Sequence, residues 1–314
     1  MVFHPDVVRL FGILVAAGAQ PISMQTVEQA RLYYREKTAA FGGPAAPMAD
    51  VRDLAAPGPA GEIPLRLYRP EGVTAPGPAL IYVHGGGWVI GDLTSHDKVC
   101  RGIAALTPCR AVAVDYRLAP EHPFPAGLDD VFAAVAWIAE NASSLGIDAG
   151  RLAIGGDSAG GNMSAAACID ARSKGLRLKA QALIYPSTDS TPEGRLLPSR
   201  IQNREVPPLT SEVLQWFSSK YLPSGLQIDR RDWRLSPLYA ESLAGLPPAL
   251  VLTAQYDPLR DEGKAYAERL AASGVPAVHR DFPGQIHGFI EFGGVLTSAN
   301  EAIREIASFL RAYI

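Results

Sequence analysis

Long apolar runs, a surplus of positive charge, an even set of cysteines and internal repeats are all missing from this sequence, and these absences narrow its function. No apolar stretch approaches the ~20 residues that cross a bilayer. The segment Val7 to Ala17 is apolar but short, and His4, Pro5 and Asp6 precede it where a secretory leader would place lysines. It reads as an amphipathic helix whose one membrane option is surface contact. A cytoplasmic protein without integral membrane association is therefore expected. Lys and Arg total 29 against 32 Asp and Glu, a formal charge of -3, so no basic field draws nucleic acid. Three cysteines, Cys100, Cys109 and Cys168, cannot all pair within one chain and form no C-x-x-C motif. They read as reduced thiols.

What is present is an ordinary globular composition: 47% of the 314 residues are hydrophobic, enough for a large core. Residues 1 to about 45 have helical spacing, ended by Gly42-Gly43-Pro44. Extended segments around Asp50 to Leu54 and Ile63 to Tyr68 flank a turn-rich stretch and suggest an antiparallel edge. From Pro78 onward, short apolar runs alternate with helical patterns. The runs are Ala79 to Val83, Ala111 to Val114, Leu152 to Ile154, Ala180 to Tyr185 and Ala249 to Thr253. The helices are Leu128 to Glu140, Ala159 to Ser173, Glu262 to Ala272 and Ser298 to Tyr313. Such alternation predicts an α/β fold with a mostly parallel central sheet and helices on both faces. Residues 187 to about 224 break the rhythm with Pro192, Pro198, Pro207 and Pro208 and then a helical piece, Ser211 to Tyr221. An insertion of that length marks a candidate cap.

Gly156-Asp157-Ser158-Ala159-Gly160 fits G-x-S-x-G, with a strand expected before it and a helix after it. A serine on so sharp a turn needs flanking residues without side chains, and the helix start aims free N–H groups at charge developing beside it. Ser158 is the candidate nucleophile, and the Ala159 amide a candidate oxyanion donor. The competing reading, a Gly-rich turn that cradles phosphate, fails on residues. Asn162-Met163 stands where a P-loop needs Lys and Ser or Thr, and G-x-G-x-x-G spacing is absent. His84-Gly85-Gly86-Gly87-Trp88 ends an expected strand, and three consecutive glycines are hard to explain as packing. Their backbone can turn several N–H groups toward one point, so Gly86 and Gly87 are assigned as further oxyanion donors. Trp88 reads as a packing residue or pocket wall.

Chain order in hydrolases of this type is nucleophile, carboxylate, histidine. Only His279 and His287 follow Ser158. His279 lies within the expected strand Ala277 to Phe282, whereas His287 sits in a loop beyond it and is the candidate base. His84 is its rival, although a role fixing its own glycine loop is preferred. Asp257 stands nearest the end of the strand at Ala254 and is the candidate carboxylate; Asp261 and Glu262, ranked after it, suit the first turn of the next helix.

These residues also resemble the bacterial hormone-sensitive-lipase-like esterases, family IV of the lipolytic enzymes. The resemblance runs through His84 to Trp88, Asp115-Tyr116-Arg117-Leu118-Ala119-Pro120-Glu121-His122-Pro123-Phe124-Pro125-Ala126, Gly156 to Gly161, Asp257 to Gly263 and His287-Gly288-Phe289, in the family's order. It implies an α/β-hydrolase core and a cap: residues 1–45 and the insertion 187–224 as cap, 46–186 and 225–314 as core. It implies hydrolysis of short to medium acyl esters with no cofactor, and supports Ser158, Asp257 and His287 as catalytic. Glu121-His122 lacks a second ligand cluster at zinc spacing, so no metal is expected and the segment reads as structural support. Arg200 to Pro208 matches the usual cap pattern only loosely. The expected partner is a small-molecule ester, with a homodimer left open. Two other readings stand beside this one: a non-catalytic small-molecule receptor on the same fold, and an amidase.

Overall fold

The computed structural model describes residues 1–314. Eight strands form one sheet in the order β1-β2-β4-β3-β5-β6-β7-β8: β1 (Met48–Gly58), β2 (Gly61–Pro70), β3 (Gly77–Val83), β4 (Arg110–Val114), β5 (Ile147–Asp157), β6 (Ala180–Ile184), β7 (Ala249–Tyr256) and β8 (Ala277–Ile286). β1 pairs with β2, and β2 with β4, antiparallel; every other pairing is parallel. The expected antiparallel edge and parallel centre are both present.

Alternation along the strands sorts the core into two layers. Ile81, Val83 and Ile154 face one side, with α4 (Ala126–Glu140), α5 (Ala159–Ser173) and α8 (Arg260–Ala272) contributing Leu128, Met163 and Leu270. Leu80, Tyr82 and Ala153 face the other, against α1 (Pro5–Ala16), α3 (Asp97–Leu106) and α9 (Thr297–Arg311). β4 and β6 are buried along their whole length, as strands covered on both faces must be. No helix is long and apolar enough to cross a membrane.

Two elements differ from expectation. Helix α3, between β3 and β4, is not anticipated in the sequence. β8 runs on to Ile286, past Pro283-Gly284, because an irregularity between Ala254 and Tyr256 lets Tyr256 pair with Ile286. His287 still lies just beyond the strand, as expected. The N-terminal α2 (Val27–Phe41) and, after β6, the short α6 (Pro198–Gln202) and α7 (Ser211–Tyr221) stand outside the sheet layers. α2 begins with a reciprocal capping box between Thr26 and Gln29.

Candidate active site

Sheet register builds the site. Val83 at the end of β3 is opposite Gly156 in β5, so the glycine loop after β3 and the turn after β5 lie side by side at the carboxyl edge. Glycines at that turn are required by close approach: a Cβ on Gly156 would lie 2.2 Å from the Val83 carbonyl oxygen, and one on Gly160 2.0 Å from the same atom. Ser158 takes φ 54° and ψ -116°, a strained conformation worth about 1–3 kcal/mol, at the N-cap of α5.

At this edge the structure brings together the three residues singled out in the sequence. His287 Nε2 is 2.9 Å from Ser158 Oγ, and its Nδ1 is 2.7 Å from Asp257 Oδ2. Asp257 is fully buried, and its other oxygen accepts the Leu259 N–H at 2.7 Å. Gly86 and Gly87 have φ 112° and 57°, and the N–H groups of Gly86, Gly87 and Ala159 donate to nothing in the protein.

The glycine run does have a packing explanation, contrary to expectation. A Cβ on Gly85 would fall 2.1 Å from Asp157 Oδ2, and one on Gly87 2.3 Å from the Phe217 ring. Contact with α7 and with the last residue of β5 thus excludes side chains here as firmly as the backbone angles do.

The rejected candidates have other partners. His279 Nε2 meets Thr253 Oγ1 at 2.9 Å. His84 Nδ1 lies 2.7 Å from the Gly85 carbonyl oxygen, and burial, reinforced by the neighbouring His96, depresses its pKa to about 4. It is therefore neutral near pH 7, and its 3.8 Å approach to Asp115 is no ion pair. Asp261 and Glu262 do lie in the first turn of α8, but Glu262 is wholly buried. It accepts the Thr188 N–H and pairs with Arg200 at 2.7 Å, tying the insertion to the core.

A buried network escaped the sequence reading. Asp157 accepts the Gly85 N–H at 3.0 Å and the Tyr82 hydroxyl at 2.8 Å, and lies 3.3 Å from His96 Nε2. His96 in turn lies 3.9 Å from Glu291, which accepts the Tyr34 hydroxyl of α2. Burial opposes charge throughout the network. Even so, Asp157 and Glu291 hold the His96 pKa above its usual range, and His96 together with the Tyr82 hydroxyl holds Asp157 below its own. The ligand atoms of His96, Asp157 and Glu291 lie within 4.8 Å of one another. Tyr82, Gly85 and Tyr34 already donate to the two carboxylates, so the group reads as a proton-bearing brace. Asp157 is visible in sequence only as the variable residue of G-x-S-x-G.

A cavity of about 530 Å³ opens onto Ser158 and His287, with Trp88, Val213 and Phe217 among its walls. Trp88 stacks on Tyr221 of α7 at 4.4 Å between ring centres, in keeping with its expected role.

A family model described as the α/β hydrolase fold matches residues 80–291. The chain belongs to that family. The carboxylic ester hydrolase LipN of Mycobacterium tuberculosis is 46% identical over 275 residues, covering 84% of this chain and 71% of the relative. The carboxylesterase NlhH of the same species is 44% identical over 256 residues, 80% of this chain and 79% of the relative. Among solved structures, ester-hydrolase EH1AB1 from the metagenome of Lake Arreo, complexed with a bipyridine phosphonate derivative, aligns with a TM-score of 0.94. It is 42% identical, over 99% of this chain and 98% of that one.

Proposed function

We propose that this α/β hydrolase is a carboxylesterase that works through an acyl-enzyme on Ser158. The observation carrying the reading is the run of two hydrogen-bond contacts, Ser158 Oγ to His287 Nε2 at 2.9 Å and His287 Nδ1 to Asp257 at 2.7 Å. His287 takes the serine proton as Oγ attacks the ester carbonyl, then returns it to the departing alcohol. Asp257 holds the imidazole tautomer and balances its transient charge. Gly86, Gly87 and Ala159 offer amide protons to the tetrahedral oxyanion, each worth about 2.7–4 kcal/mol in the transition state. Water then releases the acid by the same proton path.

Residues 1–45 and 187–224 act as a cap over residues 46–186 and 225–314, with α2 and α7 bounding the cavity. Its volume of about 530 Å³ supports short to medium acyl chains. A small ester is the partner, and three free, buried cysteines suit a cytoplasmic setting.

Ser158→Ala tests the reading. Ester hydrolysis should fall by as much as about a millionfold, the scale known for another serine hydrolase, with the melting temperature retained. Near-normal turnover in the variant dismisses the assignment. Matched amide and ester substrates with one acyl group separate an amidase, and ligand binding without hydrolysis by the unmutated chain would mark a receptor.

A further inference from the structure

The wall of the same cavity includes Lys37, on α2. It is 7% exposed, yet its ammonium makes no hydrogen bond in the protein; the one carboxylate acting on it, Glu291, does so only through charge. Its nearest company is aromatic, with Nζ 5.0 Å from the ring centre of Tyr34 and 4.9 Å from that of Phe292. Ring faces attract a cation but accept none of its protons in the way water or a carboxylate does. Glu291 is already engaged by Tyr34 and His96, and Asp157 by His96. Arg195 and Arg230 line the cavity too; burial and then the charge of Arg195 lower the pKa of Arg230, and neither has a carboxylate partner. Asp189 also lines the cavity, but it already accepts from Thr191 and Tyr239. A cavity wall with these unpaired cations is suited to an anion, and the most buried of them has donors to offer.

We propose that Lys37 is a specificity-determining residue that seats a carboxylate carried by the ester substrate. The inference rests on the esterase reading and names the substrate class: half-esters of dicarboxylic acids, with the charge on the acyl side, or acyl esters of hydroxy acids, with the charge on the alcohol side.

Three esters separate these sources. Ethyl butyrate is the neutral reference; monoethyl succinate replaces its acyl methyl by a carboxylate, and butyryl glycolate replaces its alcohol methyl. Acid release by the full chain gives kcat/KM for each. The unmutated enzyme should hydrolyse at least one charged ester as well as or better than ethyl butyrate. In Lys37→Met the ratio of that charged ester to ethyl butyrate should drop by about tenfold or more, the scale of a charge-assisted hydrogen bond. A merely structural role would depress all three together and leave the ratio alone. An unchanged ratio in the variant, or rejection of both charged esters by the unmutated enzyme, overturns the proposal whether or not the variant folds well. Failure of the unmutated enzyme on all three overturns the esterase reading itself.

Discussion

Gly86 is the residue on which the proposed oxyanion site turns. Its φ of 112° is open to glycine and hostile to other residues, and an added Cβ would come within 2.1 Å of the Ile90 carbonyl oxygen. Gly86→Ala must therefore move the loop that presents the free amides. We expect kcat to fall by about 10²–10³ while KM changes little, since those donors meet an oxyanion better than a ground-state carbonyl. Steady-state kinetics on one neutral ester checks it; a raised KM with kcat intact would assign the loop to substrate binding alone. At this scale the sequence was most legible where chemistry sits at strand ends. Ser158, Asp257 and His287 each follow a strand, so strand order and residue type sufficed to choose them. Lys37, His96, Asp157 and Glu291 are scattered over more than two hundred positions, on a helix, a helix cap, a strand end and a short 3₁₀ helix. No periodicity links them, and only the fold shows that they meet.

Between elements, the contact that matters most is α7 against the loop after β3. Phe217 is buried at the cavity wall and touches the space a Gly87 side chain would need, while Tyr221 one turn later stacks on Trp88. Shortening the ring to a methyl leaves that helix with an unfilled gap at the cavity wall. Phe217→Ala should lose about 3 kcal/mol or more of stability and shift the ratio of kcat/KM values toward longer acyl chains. Denaturant melts and a chain-length series read the two effects separately, and an unaltered chain-length profile would remove α7 from the specificity wall. The elements themselves were mostly readable from apolar periodicity. α3 was not: it has ten residues, a glycine at position 102 and no side-chain cap bond at His96 to announce its start. The last turn of β8 was hidden differently, because Pro283-Gly284 reads as loop until the irregular pairing with β7 carries the strand through it.

Across the whole molecule, the His96 network joins parts that are distant in the chain: Tyr34 from α2, Tyr82 from β3, Asp157 from β5, His96 at the start of α3 and Glu291 after β8. Its protonation should therefore govern the stability of the assembled fold. Asp157 is held below its ordinary 3.8, so its contribution is present above that value and is lost as pH falls through the depressed one. His96 is held above its ordinary 6.5, so its contribution is complete below 6.5 and disappears as pH rises through the elevated value. These are two views of one contact and count once. Burial also raises Glu291 above 4.5, only partly offset by His96 and Lys37, so its ionisation subtracts stability as pH climbs. Together they place greatest stability on the mildly acidic side and give a declining alkaline limb. Thermal melts from acid to alkaline pH should show that limb in the unmutated chain. His96→Gln should start lower, with a buried carboxylate left unpaired, and should have a flatter limb above pH 6.5 because one of the two titrations is gone. Parallel limbs in the two proteins would mean that the imidazole does not carry the proton that holds these layers together.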